Sequence, residues 1–182
     1  VSRTNVTMLG ATINNAQCTG DNQVLLGNTA ITQIRAQVAG ITAYSDARFK
    51  ANISDNVKGL DFIMRLKPVT YNQRPKELHK IWGDLDKVKD VDFTETEKQL
   101  QIGFLAQDVE AAAKASGFTF PGIDVPRNSK EVYSLRYVDF IMPMVKATQE
   151  QQQQIEDLKA QNELLKKQNE EILKRLAALE KK

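Results

Sequence analysis

A serine, an aspartate, an arginine and a lysine fall together in the segment SDARFKANI, residues 45–53. Serine is a weak nucleophile until a neighbouring base takes its hydroxyl proton. Two residues here could act as that base. One is Lys50, if burial or a nearby cation such as Arg48 lowers its pKa, and the other is Asp46. Lys50 is the better candidate, and no histidine lies close in sequence. Five residues apart, the Ser45 and Lys50 side chains diverge on a regular helix or strand, so a Ser/Lys pair requires an intervening turn. From residue types alone, Ser-Asp ahead of a basic, alternating stretch reads first as a helix cap or turn, with catalysis the lesser reading.

Other chemistries find less support. The chain has one cysteine, Cys18, and one histidine, His79. Neither has a spaced partner, so no disulfide within the chain and no metal site is expected, and no cofactor motif is present. A net charge of +2, without a basic stripe interleaved with aromatics, argues against nucleic acid as a partner. No apolar run approaches the roughly 18 to 20 residues that a membrane span needs. The chain opens on Val1 with no basic-then-apolar leader behind it, and is expected to be a piece of a longer protein.

Three zones must position the serine segment. Residues 1–44 contain only Arg3, Asp21 and Arg35 as charged side chains and are crowded with Thr, Asn, Gln, Val, Ile and Gly. Residues 6–10, 23–27 and 30–34 read as short strands joined by tight turns. A loose echo between residues 9–12 and 26–29 hints at a stacked repeat whose units need a neighbour, or another chain, to cover their apolar faces. The expectation is the end of a β-rich stalk.

Residues 45–140 hold most of the aromatics and are expected to form a small mixed α+β core. A short helix is predicted over 56–66, stopping before Pro68; strands over 69–72 and 100–105; and a helix over 106–115, ended by Ser116 and Gly117. The polar, charge-rich stretch 74–96, anchored by Trp82, is read as an extended excursion or hairpin.

Residues 141–182 carry the clearest periodicity. Ile155, Asn162, Asn169 and Leu176 occupy a positions, and Leu158, Leu165, Ile172 and Leu179 the d positions, of an unbroken heptad pattern. Running the register backwards reaches Gln151, Thr148, Met144 and Ile141, so the helix starts on the core, with Pro143 tolerated only in the first turn or as a kink. Such a stripe cannot be buried by one helix alone, and an oligomer follows. Asn at two a positions favours parallel strands in fixed register and, in model peptides, two of them. Leu173 at e and Ile172 at d pull towards higher order, leaving dimer and trimer open on the heptads.

The serine segment is followed by three further blocks in a fixed order: LDFIMRLKPVTY (60–71), IGFLAQDVE (102–110) and VYSLRYVDF (132–140), the last leading into the Gln-rich helix at 149–154. Over residues 45 to about 160 the chain resembles the C-terminal intramolecular chaperone and auto-processing domain of phage tail spikes, tail fibres and endosialidases, which also occurs in bacterial surface proteins and a membrane-bound transcription factor. The resemblance implies a homotrimer with a parallel coiled coil that helps the upstream stalk of the same polypeptide to trimerise and fold. It also implies a cut between Tyr44 and Ser45. Carried over by position, the nucleophile is Ser45 and its base Lys50, with Asp46 and Arg48 supporting the turn and the charge balance around Lys50. A virion tail fibre or a bacterial cell surface is the implied location, with assembly in the cytoplasm if the source is a phage. Two other readings stand beside it: a trimerisation and capping module that keeps the motif without cleaving, and a coiled-coil adhesin binding a host receptor or glycan.

Overall fold

The computed structural model describes residues 6–9, 22–38 and 40–180. It is a mixed α+β chain of short strands and helices ending in one long helix. In order, the regular elements are β1 (Val6–Leu9), β2 (Gln23–Leu26), α1 (Leu60–Ile63), β3 (Val69–Tyr71), α2 (Pro75–Trp82), α3 (Thr94–Lys98), β4 (Gln101–Gly103), α4 (Ala106–Ala115), β5 (Ile123–Asp124), β6 (Ser134–Leu135) and α5 (Ile141–Leu179). Strands β1 and β2 pair in parallel, with Val6 opposite Gln23. Strands β3 and β4 pair antiparallel, with Val69 opposite Gly103. Gly10 to Thr12 of the echoed repeat, and Cys18, lie outside the described residues.

Two compact units draw on alternating stretches of the chain: 1–53, 67–107 and 124–134 in the first, and 54–66, 108–123 and 135–182 in the second.

The first unit corrects one prediction in full. In place of an extended excursion or hairpin, the stretch from residue 74 to 98 holds α2, a 3-10 turn over Leu85–Val88 and α3. Helix α2 begins with Pro75 in its first turn, where the missing N–H costs nothing, and stops at Gly83, whose φ of 73° suits a residue without Cβ. Gly83 N–H donates to the Lys80 carbonyl and Asp84 N–H to the His79 carbonyl, each at 3.1 Å, which is a Schellman closure. Val88, Phe93 and His79 are buried, with the His79 ring edge-on to Trp82 at 5.1 Å and stacked on Phe93 at 6.2 Å. Residues 31–36 carry no strand, so of the three strands predicted in the charge-poor zone, two form.

The second unit is built on phenylalanine. Phe62 is fully buried, with Phe118 and Phe120 at ring separations of 5.3 and 5.0 Å and Phe140 at 6.3 Å. Offset and edge-on pairs of this kind add about 0.5–1.5 kcal/mol each beyond the area they bury. Val109, Ala112 and Ala113 give α4 a buried face. Helix α1 is shorter than predicted, four residues in place of the stretch 56–66, and its first residue closes on α5. The Leu60 N–H donates to Glu150 Oε2 at 2.7 Å. A Cβ on Gly59 would stand 2.7 Å from the Ala147 nitrogen, so only glycine lets the two backbones approach this closely.

Helix α5 runs for 39 residues with Pro143 in its first turn, a span of about 58 Å at 1.5 Å per residue. Beyond Ala147 its apolar side chains are exposed, among them Ile155, Leu158, Leu165, Ile172, Leu176 and Leu179. These are the a and d residues of the heptad pattern other than its two asparagines.

Candidate functional site

Ser45 and Lys50 meet. Lys50 Nζ donates to Ser45 Oγ at 2.6 Å. A regular helix would set the two about 140° apart around its axis, and a strand would put them on opposite faces. The chain escapes both arrangements through a 3-10 turn over Ala47–Phe49. Asp46 caps that turn, its Oδ1 accepting the Arg48 N–H at 2.8 Å. Lys50 N–H closes it on the Ala47 carbonyl at 3.1 Å. The cap that the residue types announced is therefore the device that folds position 50 back over position 45.

Asp46 and Arg48 also bind each other. The Arg48 Nε lies 3.1 and 3.0 Å from the two carboxylate oxygens of Asp46, and Nη2 lies 2.6 Å from Oδ2. The guanidinium, then the backbone N–H of Arg48, hold the Asp46 carboxyl below its ordinary value, and Asp46 in turn raises the already basic Arg48. A carboxylate so engaged is a poor proton acceptor, which leaves Lys50 as the base candidate in reach. Residues 41–50 are all exposed, and Tyr44, on the other side of the candidate scissile bond, is 93% exposed.

Sequence reasoning missed a second polar constellation in the same unit. His79, 1% exposed, pairs through Nδ1 with Asp84 Oδ1 at 2.8 Å and through Nε2 with Thr29 Oγ1 at 2.9 Å. Its partners escaped because neither follows a ligand or helix spacing. Asp84 is brought back by the Schellman closure five residues on, and Thr29 comes from fifty residues away. Pro75 opening a polar stretch and Gly83 closing it were the available signals for the helix that carries the histidine. Among the described residues no cluster of His, Cys, Asp or Glu could hold a metal ion.

Against models of known families, residues 45–118 match the one described as chaperone of endosialidase. That stretch is similar to the family over residues 45–118. The match begins on Ser45 itself, so the serine turn opens the matched stretch. The match supports an intramolecular chaperone role for this part of the chain. Searches among curated proteins and among solved structures each found no match. Among the described residues, no helix is long and apolar enough to cross a membrane.

Proposed function

We propose that the chain is an intramolecular chaperone that trimerises through α5, helps the β-rich segment upstream of residue 45 to trimerise and fold, and then cuts itself between Tyr44 and Ser45. The observation that carries this reading is the 2.6 Å contact between Lys50 Nζ and Ser45 Oγ at the first residue of the matched domain. That distance lies within the reach of general-base catalysis, about 2.6–3.2 Å.

Ser45 Oγ attacks the carbonyl carbon of Tyr44. Because Oγ and the leaving nitrogen belong to the same residue, the tetrahedral intermediate is a five-membered ring. Lys50, as the neutral amine, takes the hydroxyl proton and returns it to the departing nitrogen. The C–N bond breaks, leaving Tyr44 as an ester on Ser45 Oγ beside a free α-amine. Water then hydrolyses that ester, releasing the Tyr44 carboxylate and restoring the serine. In the single chain Lys50 is exposed and donates to the serine. A neighbouring chain that covers the turn would disfavour the charged amine and turn it towards accepting.

Support for a homotrimer comes from the uncovered apolar stripe of α5 and from the family's chaperone role. A fast-forming helical bundle aligns three chains and raises their effective concentration, lowering the entropic barrier to interweaving a β stalk. Cleavage afterwards would trap the stalk kinetically. A phage tail fibre or spike is the setting this implies.

The water-exposed turn also favours a second reading, a trimerisation and capping module that keeps the motif and does not cut. Intact mass under denaturing conditions separates the two, with the oligomer checked by native mass. The first reading expects wild type split after Tyr44, and Ser45→Ala and Lys50→Ala whole. An uncut wild-type trimer after prolonged incubation, also when preceded by a longer stalk, overturns it in favour of the second.

A further inference from the structure

The pocket around His79 lies on one side of the Tyr44-Ser45 bond in sequence, and its hydroxyl partner, Thr29, lies on the other. A tight turn presents that hydroxyl: Ile31 N–H donates to the Asn28 carbonyl at 3.2 Å, and Ala30 N–H to Asn28 Oδ1 at 2.9 Å. The turn follows β2 within the charge-poor zone. An imidazole that donates from Nδ1 to the Asp84 carboxylate presents Nε2 as an acceptor, and the Thr29 hydroxyl is the donor that fills it. With the ring 1% exposed, water has little access to replace that donor. Further along, Gln99 Nε2 reaches the Thr32 carbonyl at 3.5 Å.

We propose that the His79 pocket, walled by Trp82 and Phe93 and oriented by Asp84, is a docking site for the turn at residues 28–31, so that the core grips the charge-poor segment non-covalently as well as through the chain. The partner is a β-turn carrying a small hydroxylated residue at the position of Thr29. The grip holds whether or not the bond after Tyr44 is ever cut. If it is cut, severing the chain does not free the upstream segment, which stays seated until the Thr29 contact opens.

The test uses the full chain carrying Ser45→Ala, so that self-cleavage plays no part, with a recognition sequence for an added site-specific protease inserted between Gly40 and Ile41. After that protease has cut, the two fragments are expected to co-elute on gel filtration. Thr29→Ser is expected to keep them together, and Thr29→Val to weaken retention about tenfold, since it leaves the buried Nε2 without its donor. The only tryptophan of the chain touches the only histidine, so Trp82 fluorescence should shift as the fragment leaves. Hydrogen exchange in α4 and α5 checks that Thr29→Val is folded. Fragments that separate at once with Thr29 in place, or that stay together equally well in a folded Thr29→Val chain, overturn the proposal.

Discussion

Lys50 reaches Ser45 across 2.6 Å and His79 reaches Thr29 across 2.9 Å, so one unit holds two nitrogen–hydroxyl pairs of similar length in opposite surroundings. Everything around the first is exposed, whereas the histidine of the second is almost wholly buried. The exposed pair is set by a local turn, and water competes for both of its members, so it contributes little to stability and is free to change partners. The buried pair is set by packing against Trp82 and Phe93, and losing one member strands the other without water. On the proposed function, the first manner suits a pair that must change partners when chains assemble, and the second suits an anchor.

Breaking the anchor should give the largest effect. His79→Ala removes a ring packed against two aromatics and leaves Asp84 and Thr29 without it; a loss of about 3 kcal/mol is expected in denaturant unfolding followed by Trp82 fluorescence. Next comes Thr29→Val, at about 1–2 kcal/mol, because it removes only the donor and keeps the shape. Ser45→Ala and Lys50→Ala should shift stability by no more than about 0.5 kcal/mol, as expected of exposed positions, while abolishing any cut after Tyr44. A Lys50→Ala chain that unfolds as readily as His79→Ala would erase the contrast between the two pairs.

The smallest effect sharpens the comparison through pH. Asp46 is held below its ordinary value of 3.8 in the folded chain, first by the Arg48 side chain and then by its backbone N–H. A depressed carboxyl stabilises the turn above the unfolded value and loses that contribution as pH falls through the lower folded value. The 3-10 turn should therefore loosen only below about pH 3.8, with no change between pH 5 and 8, as backbone chemical shifts of residues 46–50 would report. Asp46→Asn should flatten that response.

Much of this arrangement is legible in the order of residues. Strands β3 and β4 and helices α4 and α5 sit where alternation, helical spacing, the stop at Gly117 and the first-turn Pro143 place them, since each is dictated by its own residues. Ser45 and Lys50 stand out by type, and geometry alone sets the condition that a turn must join them. The helices at 74–96 are obscured by their charge: a short helix with a narrow buried face looks like a loop when its one buried side chain beyond Pro75 is a histidine. Residues 30–34 fail as a strand because β propensity is realised only where a partner strand supplies the ladder.

By itself, the sequence determined what depends on neighbours within a turn or two: the Asp46 cap, the heptad stripe of α5 and the charge-poor stretch ahead of Ser45. Only the tertiary structure decided that Thr29 would find His79, that Gly59 would lie against the backbone of α5, and that four phenylalanines from three stretches of chain would close around one centre. The reason is the range of the forces. Caps and periodicities act over one helical turn, whereas burial is decided by whichever distant surfaces exclude water together, and no spacing in the chain records that choice.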